Sequence, residues 1–278
     1  MDPRPEAIAY HARMCLIALA WLAHPRYDLA LIANRDERHA RPASAAGFDP
    51  EHPDVFGGRD RVQGGSWLLA SSRRRFSAVT NVRAGLQVDP APRSRGDLVS
   101  AFVSGTATAD AWVRDLARLA PDYGRFNQLA WDGRSLAFAS NHPSFQSRSV
   151  TPGLHAMSNG AFDAPWPKSG HASLALERWL DSAPSRTRAA DDAASLSPLL
   201  EALADTAPAP DARLPDTGVG LALERRLSPA FVLDPVYGTR CSTVVLVEAA
   251  AITFFERRFD PDGTPTGDTL QVLESHGP

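Results

Sequence analysis

An α+β protein built on antiparallel sheets is the fold class this chain predicts, and three observations predict it. Apolar runs of strand length come in pairs joined by turn residues. Helix-spaced stretches fall between those pairs and do not alternate with single strands. The last elements before the C-terminus are strands again. This order excludes a doubly wound βαβ sheet.

Residues 1–13 read as an extension outside the domain, which spans 14–278. The run from Cys15 to Ala23 is a continuous apolar strand. His24-Pro25-Arg26 turns the chain, and Tyr27 to Ala33 is a second strand, so the two form a hairpin buried on both faces. Asn34-Arg35-Asp36-Glu37 follows at the strand end, and Pro42 marks a loop. Gly57-Gly58 and Gly64-Gly65 flank a polar loop. Strands are predicted over Ser66–Ala70 and Phe76–Asn81, with the basic turn Ser72 to Arg75 between them. Helical spacing covers Gly96–Val103 and Ala109–Leu119, with Thr108 as N-cap. Phe126–Trp131 and Ser135–Ala139 form a hairpin around Asp132-Gly133, a strong turn signal. A short strand over Leu154–Ser158 precedes helices at Ala172–Leu180 and Pro198–Ala204. Residues 206–220, rich in Pro, Ala, Asp and Gly, read as a mobile loop. Strands Ser242–Val247 and Ile252–Phe259 close the fold.

At 278 residues the chain can bury a sizeable core, and its 44% apolar and 22% charged residues are ordinary globular composition. Neutralising many phosphates takes a basic surplus, so a net charge of −3 argues against a nucleic-acid binder. No stretch reaches the roughly 20 apolar residues that span a bilayer, so no integral membrane segment is expected. The acidic, proline-broken start lacks the basic opening of a secretory signal. Two cysteines without a disulfide framework, Cys15 and Cys241, fit a reducing, cytoplasmic location. Arginine has almost displaced lysine: Lys168 is the single lysine.

The chemistry centres on Met14-Cys15, at the head of the first core strand. A lone thiol there would ordinarily be packing. Translation from Met14 with loss of that residue, or removal of a propeptide, would instead leave Cys15 with a free α-amine. Such an amine has a pKa near 8 and takes a thiol proton at neutral pH. Polar residues at strand ends supply the remaining types a thiol amidase needs. An arginine favours thiolate, a carboxylate orients the amine, and asparagine amides stabilise an oxyanion. Those residues are Arg35, Asp36, Asn81, Asn159 and Arg240. The eight histidines show no metal spacing, and no helix opens after the glycine pairs to make a phosphate loop. No metal or resident cofactor is expected.

Eight motifs occur in order: Met14-Cys15-Leu16-Ile17, Ala33-Asn34-Arg35-Asp36-Glu37 with Arg41-Pro42, Gly64-Gly65-Ser66-Trp67-Leu68, Ala78-Val79-Thr80-Asn81, Arg95-Gly96-Asp97-Leu98-Val99, Phe126-Asn127, Met157-Ser158-Asn159 with Pro165-Trp166, and Tyr237-Gly238-Thr239-Arg240. Over residues 14–260 this set resembles the NRDE family, also called the transport-and-Golgi-organisation family. That family looks like a relative of the cysteine N-terminal-nucleophile hydrolases, which include penicillin V acylase and bile salt hydrolase. The resemblance implies a four-layer αββα sandwich and hydrolysis of a linear amide C–N bond in a small-molecule substrate. It also implies roles. Cys15 matches the nucleophile, Asp36 the amine-orienting carboxylate, Asn81 and Asn159 the oxyanion and amine amides, and Arg240 the late arginine. Those hydrolases place an arginine three residues before the aspartate, whereas Arg35 immediately precedes Asp36. The alternative the resemblance implies is haem binding or haem trafficking on a non-catalytic scaffold, with Cys15, Cys241 or a histidine such as His155 on the iron. No Cys-Pro or CxxCH haem signature accompanies it.

Overall fold

The computed structural model describes residues 14–87, 91–182 and 193–275; the 1–13 extension lies outside them. Strands β1 (Met14–Trp21), β2 (Leu29–Arg38), β10 (Gly153–Met157), β11 (Tyr237–Val247), β12 (Ala251–Phe259) and β13 (Pro265–Glu274) form a six-stranded sheet in the order β10-β1-β2-β11-β12-β13. A seven-stranded meander holds β3 (Ala43–Phe48), β4 (Val55–Asp60), β5 (Leu68–Ser71), β6 (Arg75–Asn81), β7 (Phe126–Trp131), β8 (Leu136–Ser140) and β9 (Gln146–Ser149) in sequence order. Every strand pairing is antiparallel.

Strand alternation explains the layers. Ile17, Leu19 and Trp21 point between the sheets, where they meet Phe76, Leu129 and Trp131. Leu16, Ala18 and Ala20 point the other way, onto Leu176 and Trp179 of α3 (Pro167–Leu180) and Leu199 and Leu203 of α4 (Ser197–Leu203). The second sheet turns Leu69, Val79 and Ala130 towards Leu98 and Phe102 of α1 (Arg95–Ser104) and Val113 of α2 (Ala109–Asp115). Helix, sheet, sheet, helix is therefore the layer order. With both faces covered, β1 reads as an unbroken apolar run. Each large side chain buried this way stabilises the fold by roughly 1.5–3 kcal/mol.

Local signals set several boundaries. Thr108 caps α2 through the amide of Ala111, as its position predicts, and Ser94 caps α1 through Gly96. Gly65 and Gly96 let two backbones touch: a Cβ on Gly65 would lie 2.5 Å from the Gly96 carbonyl carbon. That contact seats the N-terminus of α1 against the segment leading into β5.

Several elements differ from the sequence expectation. Asn34 to Glu37 do not follow the second strand; β2 continues through them to Arg38, paired with β1 on one side and β11 on the other. Gly57-Gly58-Arg59-Asp60 is strand β4 and not loop, because Gly57 allows an approach that would put a Cβ 2.6 Å from the Leu68 carbonyl oxygen. The helix from Ala109 ends at Asp115 and tightens to 3₁₀ over Leu116–Arg118. Helix α3 starts five residues before Ala172, at Pro167, where proline suits a first turn. β11 begins at Tyr237, five residues before Ser242, and β13 follows the strand expected to be last. Residues 206–220 are tied down and not a free loop: Ala209 N–H bonds Ser228 Oγ (2.9 Å), and the Thr217 carbonyl accepts from Gly85 N (2.6 Å). They lead into a short helix, α5 (Leu221–Arg226).

Candidate active site

Three neighbouring strands place one row of side chains. Cys15 on β1 stands opposite Arg35 on β2, and Arg35 stands opposite Cys241 on β11. Residues directly opposite share a face, and Ile17, Ala33 and Val245 on that face belong to the inter-sheet core. The row therefore lies at the end of that core. Asp36, one residue on, faces the helical layer instead, opposite the backbone of Met14 and opposite Thr239. A bulge between Thr239 and Cys241 takes Arg240 out of register.

Hydrogen bonds gather the expected residues around the head of β1. The Cys15 amide nitrogen donates to Asn159 Oδ1 (3.2 Å), and Asn159 Nδ2 donates to the Asn81 carbonyl (2.8 Å). Ser158 Oγ donates to the Cys15 carbonyl (2.8 Å). Asn127 Nδ2 holds the turn that carries Asn159 by donating to the Gly160 carbonyl (2.8 Å). Asp36 Oδ1 accepts from Thr239 Oγ1 (2.6 Å), whereas Asp36 Oδ2 is buried without a partner. The Arg35 guanidinium lies over the Trp67 ring, 4.2 Å from its centre, with Nη1 buried and unpartnered.

The tetrapeptide divides its labour. Asn34 is structural: it accepts from Ser242 Oγ (2.6 Å) and donates to the carbonyls of Leu203 and Ala230 (both 2.8 Å). Arg35 and Asp36 flank the cysteine. Glu37 sits between two arginines, 3.7 Å from Arg35 and 3.6 Å from Arg41. Arg240 does not turn to the thiol: its Nη1 donates to the carbonyls of Arg38 (3.0 Å), His39 (3.0 Å) and Arg41 (3.3 Å), clamping the turn after β2. Cys15, Arg35, Trp67 and Asn81 line a cleft of about 60 Å³. A larger apolar cavity of about 340 Å³, under α4 and against Phe231 and Phe259, holds none of these residues.

Electrostatics separate the groups. Burial, then the charge of Asp36, pushes the Cys15 thiol up to about 12, against a lowering by Arg35. Burial also pushes Asp36 up, and the strongest opposing influence is Lys168. Lys168 is pushed down by burial and held up chiefly by Asp36. Sequence reasoning passed over this residue, although its being the only lysine was a usable signal.

Among the described residues, no three His, Cys, Asp or Glu side chains converge as a metal site. Both ring nitrogens of His155 are engaged, Nδ1 with Asp163 (2.9 Å) and Nε2 with the Thr151 carbonyl (2.8 Å). Cys241 is buried. With both ring nitrogens bonded and the second thiol enclosed, neither His155 nor Cys241 is open to a haem iron, whereas Cys15 lines a cleft. No helix among the described residues is long and apolar enough to cross a membrane.

A cysteine-centred cleft at the edge of a four-layer αββα sandwich thus defines the class of protein. Residues 14–261 match the Transport and Golgi organisation 2 family, and the chain belongs to it. The human Transport and Golgi organization protein 2 homolog is 30% identical over 261 residues, covering 88% of this chain and 92% of the human protein. The mouse Transport and Golgi organization 2 homolog is 28% identical over 264 residues, with the same coverages. Among solved structures, a mutant conjugated bile acid hydrolase from Clostridium perfringens aligns with a TM-score of 0.46 at 5% identity, over 93% of this chain and 92% of that one.

Proposed function

We propose that this protein is a cysteine amide hydrolase of the N-terminal-nucleophile type, active once Cys15 heads the chain. One observation carries the reading: the Cys15 nitrogen already rests on Asn159 Oδ1, beside the Asp36 strand position. Freed from Met14, that nitrogen is an α-amine held next to its own thiol. A thiol pushed up to about 12 is inert by itself at neutral pH, so a local base has a clear task.

In the reaction, the Cys15 proton passes to the α-amine as Sγ bonds to the substrate carbonyl carbon. Asn81 at the cleft wall supplies an oxyanion donor, and Arg35 favours the negative sulfur. The α-ammonium returns its proton to the leaving nitrogen as the C–N bond breaks, leaving a thioester. Water then adds, giving up a proton through the same amine, and the carboxylic acid and thiol are released. The small cleft favours a substrate that inserts only its amide and leaves its acyl body outside.

The test compares a chain beginning at Cys15 with one retaining Met14, using N-acyl amides and intact-mass detection of an acyl adduct. Turnover with an adduct on Cys15 in the first chain only is expected. Equal inactivity of both, with Cys15 reduced and unblocked, would sink the reading.

A further inference from the structure

The single lysine of this chain is buried where a titratable cation matters. Lys168, in the first turn of α3, is 4% exposed, and its Nζ makes one hydrogen bond, to the Leu227 carbonyl (3.3 Å). Every other basic side chain apart from histidine is arginine, which does not deprotonate in proteins. Asp36 faces the same helical layer.

The neighbouring charges are otherwise matched. Glu224 of α5 is held by Arg83 and by Thr217 Oγ1, and Glu37 lies between Arg35 and Arg41. Around Asp36 and Lys168 the charged or titratable groups are Arg35 and Glu37 from β2, Arg83 beyond β6, Glu224 from α5 and Cys15 from β1. Asp36 is the carboxylate that acts most strongly on Lys168; the two make no direct ion pair, and Asp36 Oδ2 is buried without a hydrogen bond.

We propose that Lys168 is a positioning residue for the Cys15 amine: its ammonium balances Asp36, so the amine stays neutral and free to accept the thiol proton. The inference rests on the reading of Cys15 as a chain-terminal nucleophile. Its logic is charge balance. One buried carboxylate has two candidate cations, Lys168 and the α-amine, and the one that neutralises it is the one held protonated. With Lys168 in that place the amine is spared; without it, the amine becomes the counter-ion and ceases to be a base.

The test needs no amide substrate, so it separates this inference from the hydrolase reading. In the chain beginning at Cys15, carbon-13-labelled lysine gives one resonance, which is expected to titrate below the ordinary 10.5 and lower still in Asp36→Asn. Lys168→Met is expected to slow cyanate carbamylation of the Cys15 α-amine at pH 7 about tenfold and to raise the midpoint of its pH profile by about one unit. Lys168→Arg is expected to restore both. The double variant Lys168→Met/Asp36→Asn is also expected to recover the midpoint, which a merely structural role would not produce. A lysine titrating at its ordinary value and unmoved by Asp36→Asn would overturn the proposal, as would a double variant no faster than Lys168→Met. If Lys168→Met does not fold, the lysine titration in the unaltered protein decides.

Discussion

Cys15 and Cys241 flank the same arginine, one strand to either side, yet the fold treats them oppositely. Both thiols are pushed up by burial, and both feel Arg35 pulling them down. Cys15 opens on a cleft and has an asparagine on its own nitrogen. Cys241 is 3% exposed and lies beside Glu256, whose carboxylate opposes a second negative charge there. Burial and a nearby guanidinium are common to both thiols, so under the proposed function it is access and a local proton acceptor that single out Cys15.

The largest expected effect comes from removing each thiol in turn. In the chain that begins at Cys15, Cys15→Ala should reduce alkylation and amide turnover to background. Cys241→Ala should leave both within about twofold and lower stability by about 1 kcal/mol, the cost of a small cavity. Rates of iodoacetamide adduct formation by intact mass, with urea melts, measure this. Reactivity that followed Cys241 would reverse the assignment of roles.

A smaller effect tests the residue they share. Arg35→Met removes the cation beside both sulfurs, while Arg41 still serves Glu37. Alkylation of Cys15 near neutral pH should slow about tenfold, the equivalent of one pKa unit, and Cys241 should stay unlabelled in the folded protein. An unchanged Cys15 rate would mean that the amine alone sets thiolate formation.

The same contrast shows what was legible beforehand. The core strands and their hairpins announced themselves because burial on both faces forces unbroken apolar runs such as Leu16 to Trp21. Of the unpredicted strands, β3, β9 and β13 are sheet edges, whereas the glycine-bearing β4 lies inside the second sheet. Gln146 to Ser149 is wholly exposed, and β13 buries only Leu273, so nothing local marks them and pairing decides. The site residues were legible as types. Their division of labour was not, because it depends on register. Only the pairing reveals that Cys15, Arg35 and Cys241 form one row and that Asp36 faces away. Arg240 looked like a partner for the thiol, but a bulge sends its guanidinium to three carbonyls. Lys168 lies far from the cysteine in sequence, and only the packing of α3 places it in the layer that Asp36 faces.

The smallest effect concerns the carboxylate beside Cys241. Glu256 Oε1 accepts from the Ala46 amide (2.8 Å), while Oε2 is buried without a partner. Burial, the dominant influence, raises its pKa above 4.5, against the Ala46 hydrogen bond and Arg258. The folded protein therefore binds this proton more tightly than the unfolded chain does. The stability it contributes is full below the unfolded value and declines as pH rises through the folded one. Glu256→Gln keeps an acceptor for Ala46 and cannot ionise, so its decline should be absent. Urea midpoints of the two proteins, taken from pH 4 to pH 7, should therefore separate in shape, with the wild type losing more stability over that interval. Cys15, Asp36 and Cys241 are common to both curves, so the difference between them isolates Glu256. Parallel curves would show that no buried charge develops beside Cys241, and burial alone would then separate that thiol from Cys15.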